Sequence, residues 1–279
     1  MEKTPSGDRP PETDLQALVQ SGLRAHQEGQ LTKAKAAYKK VLNAAPNHAD
    51  ANHLLGMIAR QTGDPDRAVQ LFAKAIQANP GFATCHNNLG NAFMDLCRPD
   101  DAIDSYRKAI SINPDFAEAH GNLGAAFRKL DRMEEAIASF RMALDIHPDI
   151  ASTHFNLGNA LRNLGQLDDA ANSYRQAIAI SPDIFQMHEN LARTLHTLGH
   201  ISDAAASFEN ALAIDPQAAG AHAGLATLRM QQGRTDDAID SYRRAVAIRP
   251  DFAEAHCNLG HAFQELGKFE DAIANYHKA

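Results

Sequence analysis

A proline recurs every 34 residues along this chain, at Pro46, Pro80, Pro114, Pro148, Pro182, Pro216 and Pro250. Only 12 prolines are present, so seven in one register is a pattern and not an accident of composition. An alanine keeps the same beat at Ala34, Ala68, Ala102, Ala136, Ala170, Ala204, Ala238 and Ala272. So does an aromatic residue, at Tyr38, Phe72, Tyr106, Phe140, Tyr174, Phe208, Tyr242 and Tyr276, a column that holds all five tyrosines. The phrase PDFAEAHGNLGAAF from Pro114 returns from Pro250 as PDFAEAHCNLGHAF, 136 residues or four periods later. A fixed period of this length decides the architecture. Each repeat is one small supersecondary unit, and its apolar faces are covered by its neighbours and not by one large core.

Residues 117–150 show what the unit is. Leu123, Ala126, Phe127 and Leu130 recur at helical spacing and predict a first helix. Ala136, Ile137, Phe140, Ala143, Leu144 and Ile146 predict a second, with Glu134 and Glu135 in its first turn, where negative charge complements the helix dipole. Six of eight repeats place glycine between the helices (Gly29, Gly63, Gly165, Gly199, Gly233, Gly267), and the other two carry Cys97 and Asp131. Glycine there permits the left-handed conformation that ends a helix. The Pro-Asp between repeats, as in Pro148-Asp149, stops one helix and is expected to cap the next through its carboxylate. A small-residue column (Gly90, Gly124, Gly158, Ala192, Ala226, Gly260) lets the two helices approach closely, with the aromatic column filling the gap beside it. The expected architecture is an all-α solenoid of helical hairpins.

Composition narrows the function. A hydrophobic content of 44% is globular, and no apolar run approaches the ~18 residues of a membrane span. The opening MEKTPSGDRPPETD is polar and proline-rich, so residues 1–12 are read as a disordered leader without a secretory signal, and a cytoplasmic location is the default. Cys85, Cys97 and Cys257 occupy unrelated repeat positions, which gives neither a disulfide framework nor a zinc signature and suggests free, partly buried thiols. A net charge of −7 speaks against nucleic acid as a partner.

The pattern of leucine-glycine, aromatic, alanine, aromatic and proline at fixed offsets resembles the tetratricopeptide repeat. The resemblance covers residues 15–279, with repeats starting at 15, 49, 83, 117, 151, 185, 219 and 253 and the last one incomplete. It implies a right-handed superhelix of about eight repeats that acts as a protein–protein interaction module. Ser21 in place of leucine and Arg229 at an apolar position depart from the pattern and suggest locally looser packing.

The search for chemistry is short. No nucleophile elbow, phosphate loop, metalloprotease helix or kinase signature is present, and the chain is read as no enzyme and as needing no cofactor. Histidine recurs at His86, His120, His154, His188, His222 and His256. Metal ligands must converge to ~2 Å from one ion, whereas stacked helices stand roughly 10 Å apart, so the column is read as packing. His196 and His200 lack a third ligand. The asparagine column, Asn88, Asn122, Asn156, Asn190 and Asn258, interrupted by Leu54 and Gly224, points to binding. In repeats of this kind that position faces the concave groove, and an amide there can donate to and accept from a peptide backbone. The array resembles the superhelical arm of O-linked N-acetylglucosamine transferase, which implies extended polypeptide in the groove. The alternative is that the amides are consensus wording, satisfied by water or a neighbouring helix. Arg128, Lys129, Arg162 and Arg193 add positive charge nearby, either for a ligand or paired with Glu118 or Glu189. The chaperone-binding clamp is incomplete, since Asn91 with Asn122 and Asn159 with Asn190 lack its basic partners. The expected partner is therefore a protein or peptide in the groove. The rival readings are the substrate arm of a larger glycosyltransferase or sulfotransferase, and a scaffold that self-associates through an uncapped last hairpin of Phe263, Phe269, Ile273 and Tyr276.

Overall fold

The computed structural model describes residues 12–279, which form sixteen α-helices and, among the described residues, no strand. They are α1 (Glu12–Gln27), α2 (Leu31–Ala44), α3 (Ala49–Gln61), α4 (Pro65–Ala78), α5 (Ala83–Asp95), α6 (Pro99–Ile112), α7 (Ala117–Lys129) and α8 (Met133–Ile146). There follow α9 (Ala151–Asn163), α10 (Leu167–Ile180), α11 (Phe185–Thr197), α12 (Ile201–Ile214), α13 (Ala219–Gln231), α14 (Thr235–Ile248), α15 (Ala253–Glu265) and α16 (Phe269–Tyr276). The chain divides into two compact units, one through Ile146 and one from His147. Each is a stack of antiparallel hairpins, a solenoid in which an odd-numbered helix pairs with the even-numbered helix that follows it. Helix α1 starts at Glu12, a little before the expected first repeat, and the rest of the proposed leader lies outside the described residues.

The glycine and aromatic columns hold each hairpin together, by a contact closer than the sequence suggests. The ring does not sit beside the glycine but on it. A Cβ added to Gly90 would lie 2.5 Å from the Tyr106 ring, and one added to Gly124 2.7 Å from Phe140. The rings of Tyr38, Phe72, Tyr106, Phe140, Tyr174, Phe208 and Tyr242 are all buried. Each such side chain contributes roughly 1.5–3 kcal/mol by burial. Ala192 occupies the glycine place in the sixth repeat, and the Phe208 ring there also lies 2.5 Å from where a Cβ of Gly224 in the next repeat would be. A larger side chain at Gly224, which interrupts the asparagine column, would meet that ring.

Every tight turn uses one left-handed residue. The six turn glycines have φ between +69° and +80°, and Cys97 (56°) and Asp131 (60°) adopt the same conformation in the two repeats without glycine. It lets the next amide bond back over the helix end, as Asp64 N–H does to Ala59 O (2.9 Å) and Arg98 N–H to Phe93 O (2.9 Å).

The inter-repeat joint corrects an expectation. The Pro-Asp carboxylate does not cap the following helix. The cap position falls on Phe82, Phe116, Ile150, Ile184, Ala218 and Phe252, without a side-chain cap bond. The polar residue just before proline works instead: Asn79 Oδ1 accepts from Gly81 N–H (3.2 Å) and Asp215 Oδ1 from Gln217 N–H (2.9 Å). The cysteines also separate, Cys85 buried and Cys97 and Cys257 exposed.

Within each unit the odd-numbered helices touch one another across repeats, α1–α3, α3–α5 and α5–α7 in the first and α11–α13 and α13–α15 in the second. The even-numbered helices instead reach only the odd-numbered ones on either side. The odd-numbered helices therefore line the tighter, inner side of each unit. No helix among the described residues is long and apolar enough to cross a membrane.

Holding a side chain in the left-handed region costs ~1–2 kcal/mol relative to glycine, offset in part by the ~0.5–1 kcal/mol entropic penalty of glycine itself. Cys97→Gly and Asp131→Gly should each therefore stabilise the protein, by about 0.5–1 kcal/mol. Urea denaturation is the check, and a loss of stability in both variants would contradict the account of the turns.

Candidate functional site on the inner face of the odd-numbered helices

The histidine column has a structural role that its spacing signals but packing alone does not explain. Each imidazole Nε2–H donates to the carbonyl of the proline six residues earlier. The pairs are His86–Pro80 (3.1 Å), His120–Pro114 (2.9 Å), His154–Pro148 (2.7 Å), His188–Pro182 (2.7 Å), His222–Pro216 (3.0 Å) and His256–Pro250 (3.0 Å). Asn52 takes over in the second repeat, its Nδ2–H donating to Pro46 O (3.0 Å). A carbonyl can only accept, so Nε2 carries the proton in each ring. These residues clasp the joint between hairpins. His196 faces Gln231 (3.1 Å), and no group of three His, Cys, Asp or Glu among the described residues is placed to hold a metal ion.

All five asparagines of the candidate ladder are half-buried on odd-numbered helices: Asn88 and Asn122 in the first unit, Asn156, Asn190 and Asn258 in the second. Three of them reach back to the preceding repeat. Asn88 Nδ2–H donates to His53 Nε2 (2.9 Å), Asn122 Nδ2–H to Asn87 Oδ1 (3.0 Å) and Asn190 Nδ2–H to Asn159 Oδ1 (2.9 Å). Asn87 in turn donates to the Glu118 carboxylate (2.9 Å). The amides thus tie neighbouring odd-numbered helices together through their N–H groups, while the side-chain oxygens of Asn88, Asn122 and Asn190 accept no bond within the protein.

A second polar pattern escaped the sequence reading. Tyrosine alternates with phenylalanine in the aromatic column as far as Tyr242, and three of the buried hydroxyls meet a polar residue fifteen positions earlier. Tyr106 donates to Asn91 Oδ1 (2.7 Å), Tyr174 to Asn159 Oδ1 (2.8 Å), and Tyr242 lies 2.9 Å from Thr227 Oγ1. Tyr38 finds Leu23 at that place, and its hydroxyl is buried without a partner. The signal was present as paired columns, but only contact geometry gives the pairing a reason.

The candidate cations differ from one another. Arg193 is engaged with Glu189 (2.8 Å). Arg128 and Lys129 are exposed at the end of α7, Arg162 is half-buried near the end of α9, and none of these three has an ion-pair partner among the described residues. Elsewhere the same places form rungs between successive odd-numbered helices: His26–Gln61 (3.0 Å), Arg60–Asp95 (2.6 Å) and His196–Gln231 (3.1 Å). Lys129 would meet Met94 in that register and Arg162 would meet Thr197, so neither has a carboxylate waiting. A cavity of about 710 Å³ opens on the first unit, lined by His26, Met57, Arg60, Phe72, Asn88 and Asp95 among others.

Arg229 does mark loose packing, as its departure from the repeat suggests. It bonds Ser241 Oγ through Nη1 (2.7 Å), its Nε is buried without a partner, and it borders a cavity of about 730 Å³ between α12, α13 and α14.

Stacked helical hairpins with polar side chains turned to the inner side define a protein-interaction module. The chain belongs to the tetratricopeptide-repeat family: residues 2–224 match the family model for the Cilia and flagella-associated protein 70 C-terminal domain, and residues 227–267 match that for the TPR repeat. Among solved structures it resembles YrrB, described as a TPR protein with an unusual peptide-binding site, at 22% identity and a TM-score of 0.62, covering 67% of this chain and 96% of that one. MamA is similar at 27% identity and a TM-score of 0.55, covering 59% and 96%. Pseudomonas aeruginosa pilF is similar at 20% identity and 0.67, covering 74% and 93%. The likeness to YrrB and pilF is one of fold. No curated protein matches the chain significantly.

His53 supplies a pH test of this inner face. Burial pushes its pKa down from the ordinary 6.5 to about 4, with Asp50 opposing, and its Nε2 accepts from Asn88 only while neutral. Because the folded pKa lies below the unfolded one, the unfolded chain binds the extra proton between pH 6.5 and 4, and stability falls as the pH falls through that window. The loss between pH 7 and 5 should be on the order of 1–2 kcal/mol, and His53→Asn should remove it. Chemical denaturation across that range reads the effect, and an unchanged pH slope in the variant would refute the assignment.

Proposed function

We propose that the inner face of each unit binds an extended segment of a partner protein. The observation that carries the reading is the half-spent ladder. Asn88, Asn122 and Asn190 use their N–H groups on neighbouring helices and keep their oxygens, so rigidly held acceptors repeat at the spacing of the hairpins. Asn156 and Asn258 continue the column in the second unit, and Arg128, Lys129, Arg162 and Arg193 flank it. Backbone contacts of this sort hold a strand without reading its side chains, which suits a module serving several partners. The assignment of residues 15–279 as one array of eight repeats, and of the chain as a non-catalytic cytoplasmic adaptor, belongs to the same reading.

The test is Asn122→Ala, Asn156→Ala and Asn190→Ala combined, with affinity measured calorimetrically for a partner identified from an extract. A hydrogen bond is worth ~0.5–1.5 kcal/mol, so the triple change should weaken binding by roughly one to three decades. Because Asn122 and Asn190 also bridge repeats, a parallel loss of stability of about 1–3 kcal/mol is expected. Unchanged affinity would place the contact elsewhere.

A second reading, self-association, is favoured by α16. Phe269 is 64% exposed and Ile273 56%, whereas Ile239, one repeat earlier in the same register, is 4% exposed beneath α15. An apolar face that a helix covers one repeat earlier is a surface for whatever packs there, a further helix of the protein or a second copy. Sedimentation of the full chain should show concentration-dependent mass that Phe269→Glu with Ile273→Glu abolishes. A monomer at all concentrations would end this reading.

A further inference from the structure

We infer that the second unit holds a site for a small apolar carboxylate in the cavity between α12, α13 and α14, with Arg229 as the residue that binds the anion. The cavity uses none of the asparagine column, so the site is independent of the inner-face reading.

The repeat shows what is missing there. One place on the odd-numbered helices carries a buried apolar side chain, as at Phe127, Leu195 and Phe263. Twenty residues before each, on the preceding even-numbered helix, stand Arg107, Arg175 and Arg243. Where the apolar residue is aromatic the guanidinium lies over its ring, 5.7 Å from the centroid for Arg107 on Phe127 and 5.4 Å for Arg243 on Phe263. At the joint of the sixth and seventh repeats both letters change. The apolar place on α13 holds Arg229, and the arginine's place on α12 holds Glu209. Arg229 leans to α14, where Nη1 donates to Ser241 Oγ (2.7 Å), and a cavity of about 730 Å³ opens beside it.

Leu212, Pro216, Leu225 and Ile248 give the cavity apolar walls, and its volume is that of ordinary small-molecule clefts. Arg229 supplies the polar end. Its Nε is buried without a partner, and Nη2, which shares an edge of the guanidinium with Nε, meets only Glu209 Oε1 at 3.5 Å. Two N–H groups on one edge fit the two oxygens of a carboxylate. Glu209 shows which chemistry the edge takes. It reaches one nitrogen only, and its side chain is 56% exposed, so an incoming carboxylate can displace it. The other acidic groups on the wall are engaged, Asp237 with Arg234 (2.7 Å) and Asp240 with Arg243 (3.9 Å). Two arginines, Arg229 and Arg244, and these three carboxylates line the cavity, so its net field selects nothing. The open edge of Arg229 selects the anion, and the apolar walls select its body.

The probe is 3-phenylpropionate, titrated into the isotope-labelled full chain, with 3-phenylpropanol as the uncharged control. The acid should shift resonances of α12, α13 and α14 and bind about tenfold more tightly than the alcohol, the weight of one hydrogen bond to a charged group. Arg229→Lys keeps the charge but has no two-nitrogen edge, and should bind the acid roughly tenfold more weakly. Glu209→Arg with Arg229→Phe rebuilds the pair that Arg107 makes with Phe127. That double variant should fold at least as stably as the unaltered chain and lose the acid. An N-acetylated tripeptide ending in a phenylalanine carboxylate offers the same chemistry as a chain end. If it binds more tightly than 3-phenylpropionate the ligand is a chain terminus, and if more weakly a free acid. Alcohol and acid bound alike, or an acid bound as well by Arg229→Lys, would overturn the role of Arg229. No shift on these three helices at millimolar acid, or shifts that persist in the folded double variant, would remove the site.

Discussion

The contact of an aromatic ring with a glycine, made across six of the eight hairpins, is the constraint on which the rest of the molecule depends. A ring that sits where a Cβ would be brings the two helices as close as their backbones allow, and the buried alanines beside it leave no slack. Close helices must turn sharply, which explains the left-handed residue in every loop, even where it falls on Cys97 or Asp131. A hairpin pinned in this way behaves as a rigid plate. Plates stack only through their edges, so neighbouring repeats are free to specialise the inner side with polar residues while the interior stays the same. The sixth repeat shows the one substitution the place admits. Ala192 and Ala226 stand at the glycine place there and in the seventh, with Phe208 and Tyr242 still buried, and the Phe208 ring also lies against Gly224 of the next repeat.

Much of this was legible in the letters. The 34-residue beat announced helical hairpins, the glycine column announced the turns, and the two positions that lacked glycine were visible as exceptions. What the letters did not carry was the partner of each polar group. The histidines recur as plainly as the prolines, yet only the 2.7–3.1 Å contacts show that each binds the proline carbonyl six residues back. The expected Pro-Asp cap failed for a related reason. Between proline and the next helix stand two more residues, so the carboxylate sits too early, and an apolar residue occupies the cap. The alternation of tyrosine with phenylalanine is equally visible, but it acquires meaning only beside Asn91, Asn159 and Thr227.

The asparagine column lies between these cases. Its placement on odd-numbered helices follows from the repeat, and its half-burial follows from the closeness of those helices on the inner side. Sequence reading left two roles open, contact with a ligand or contact with a neighbouring helix, as though they excluded each other. An amide has two ends, and the structure gives the nitrogen to the neighbour. The oxygen remains, oriented by a hydrogen-bond chain that in the first unit begins at a carboxylate. Similar economy governs the cations: Arg193 is held by Glu189, while Lys129 and Arg162 remain unpaired because Met94 and Thr197 stand at their matching places.

The histidine clasp has a consequence for how such a chain can lengthen. Its two ends lie six residues apart in one stretch of sequence, so a joint between hairpins travels with its own repeat. A duplicated block of 34 codons arrives with clasp, turn and ring-on-glycine contact complete, and nothing elsewhere has to change for it to fold. The rungs across the inner side are different, because each is shared between two repeats that must agree. Growth by duplication is therefore cheap for the scaffold and disruptive for its recognition face, and a lineage that adds repeats must rewrite its partners each time it does so.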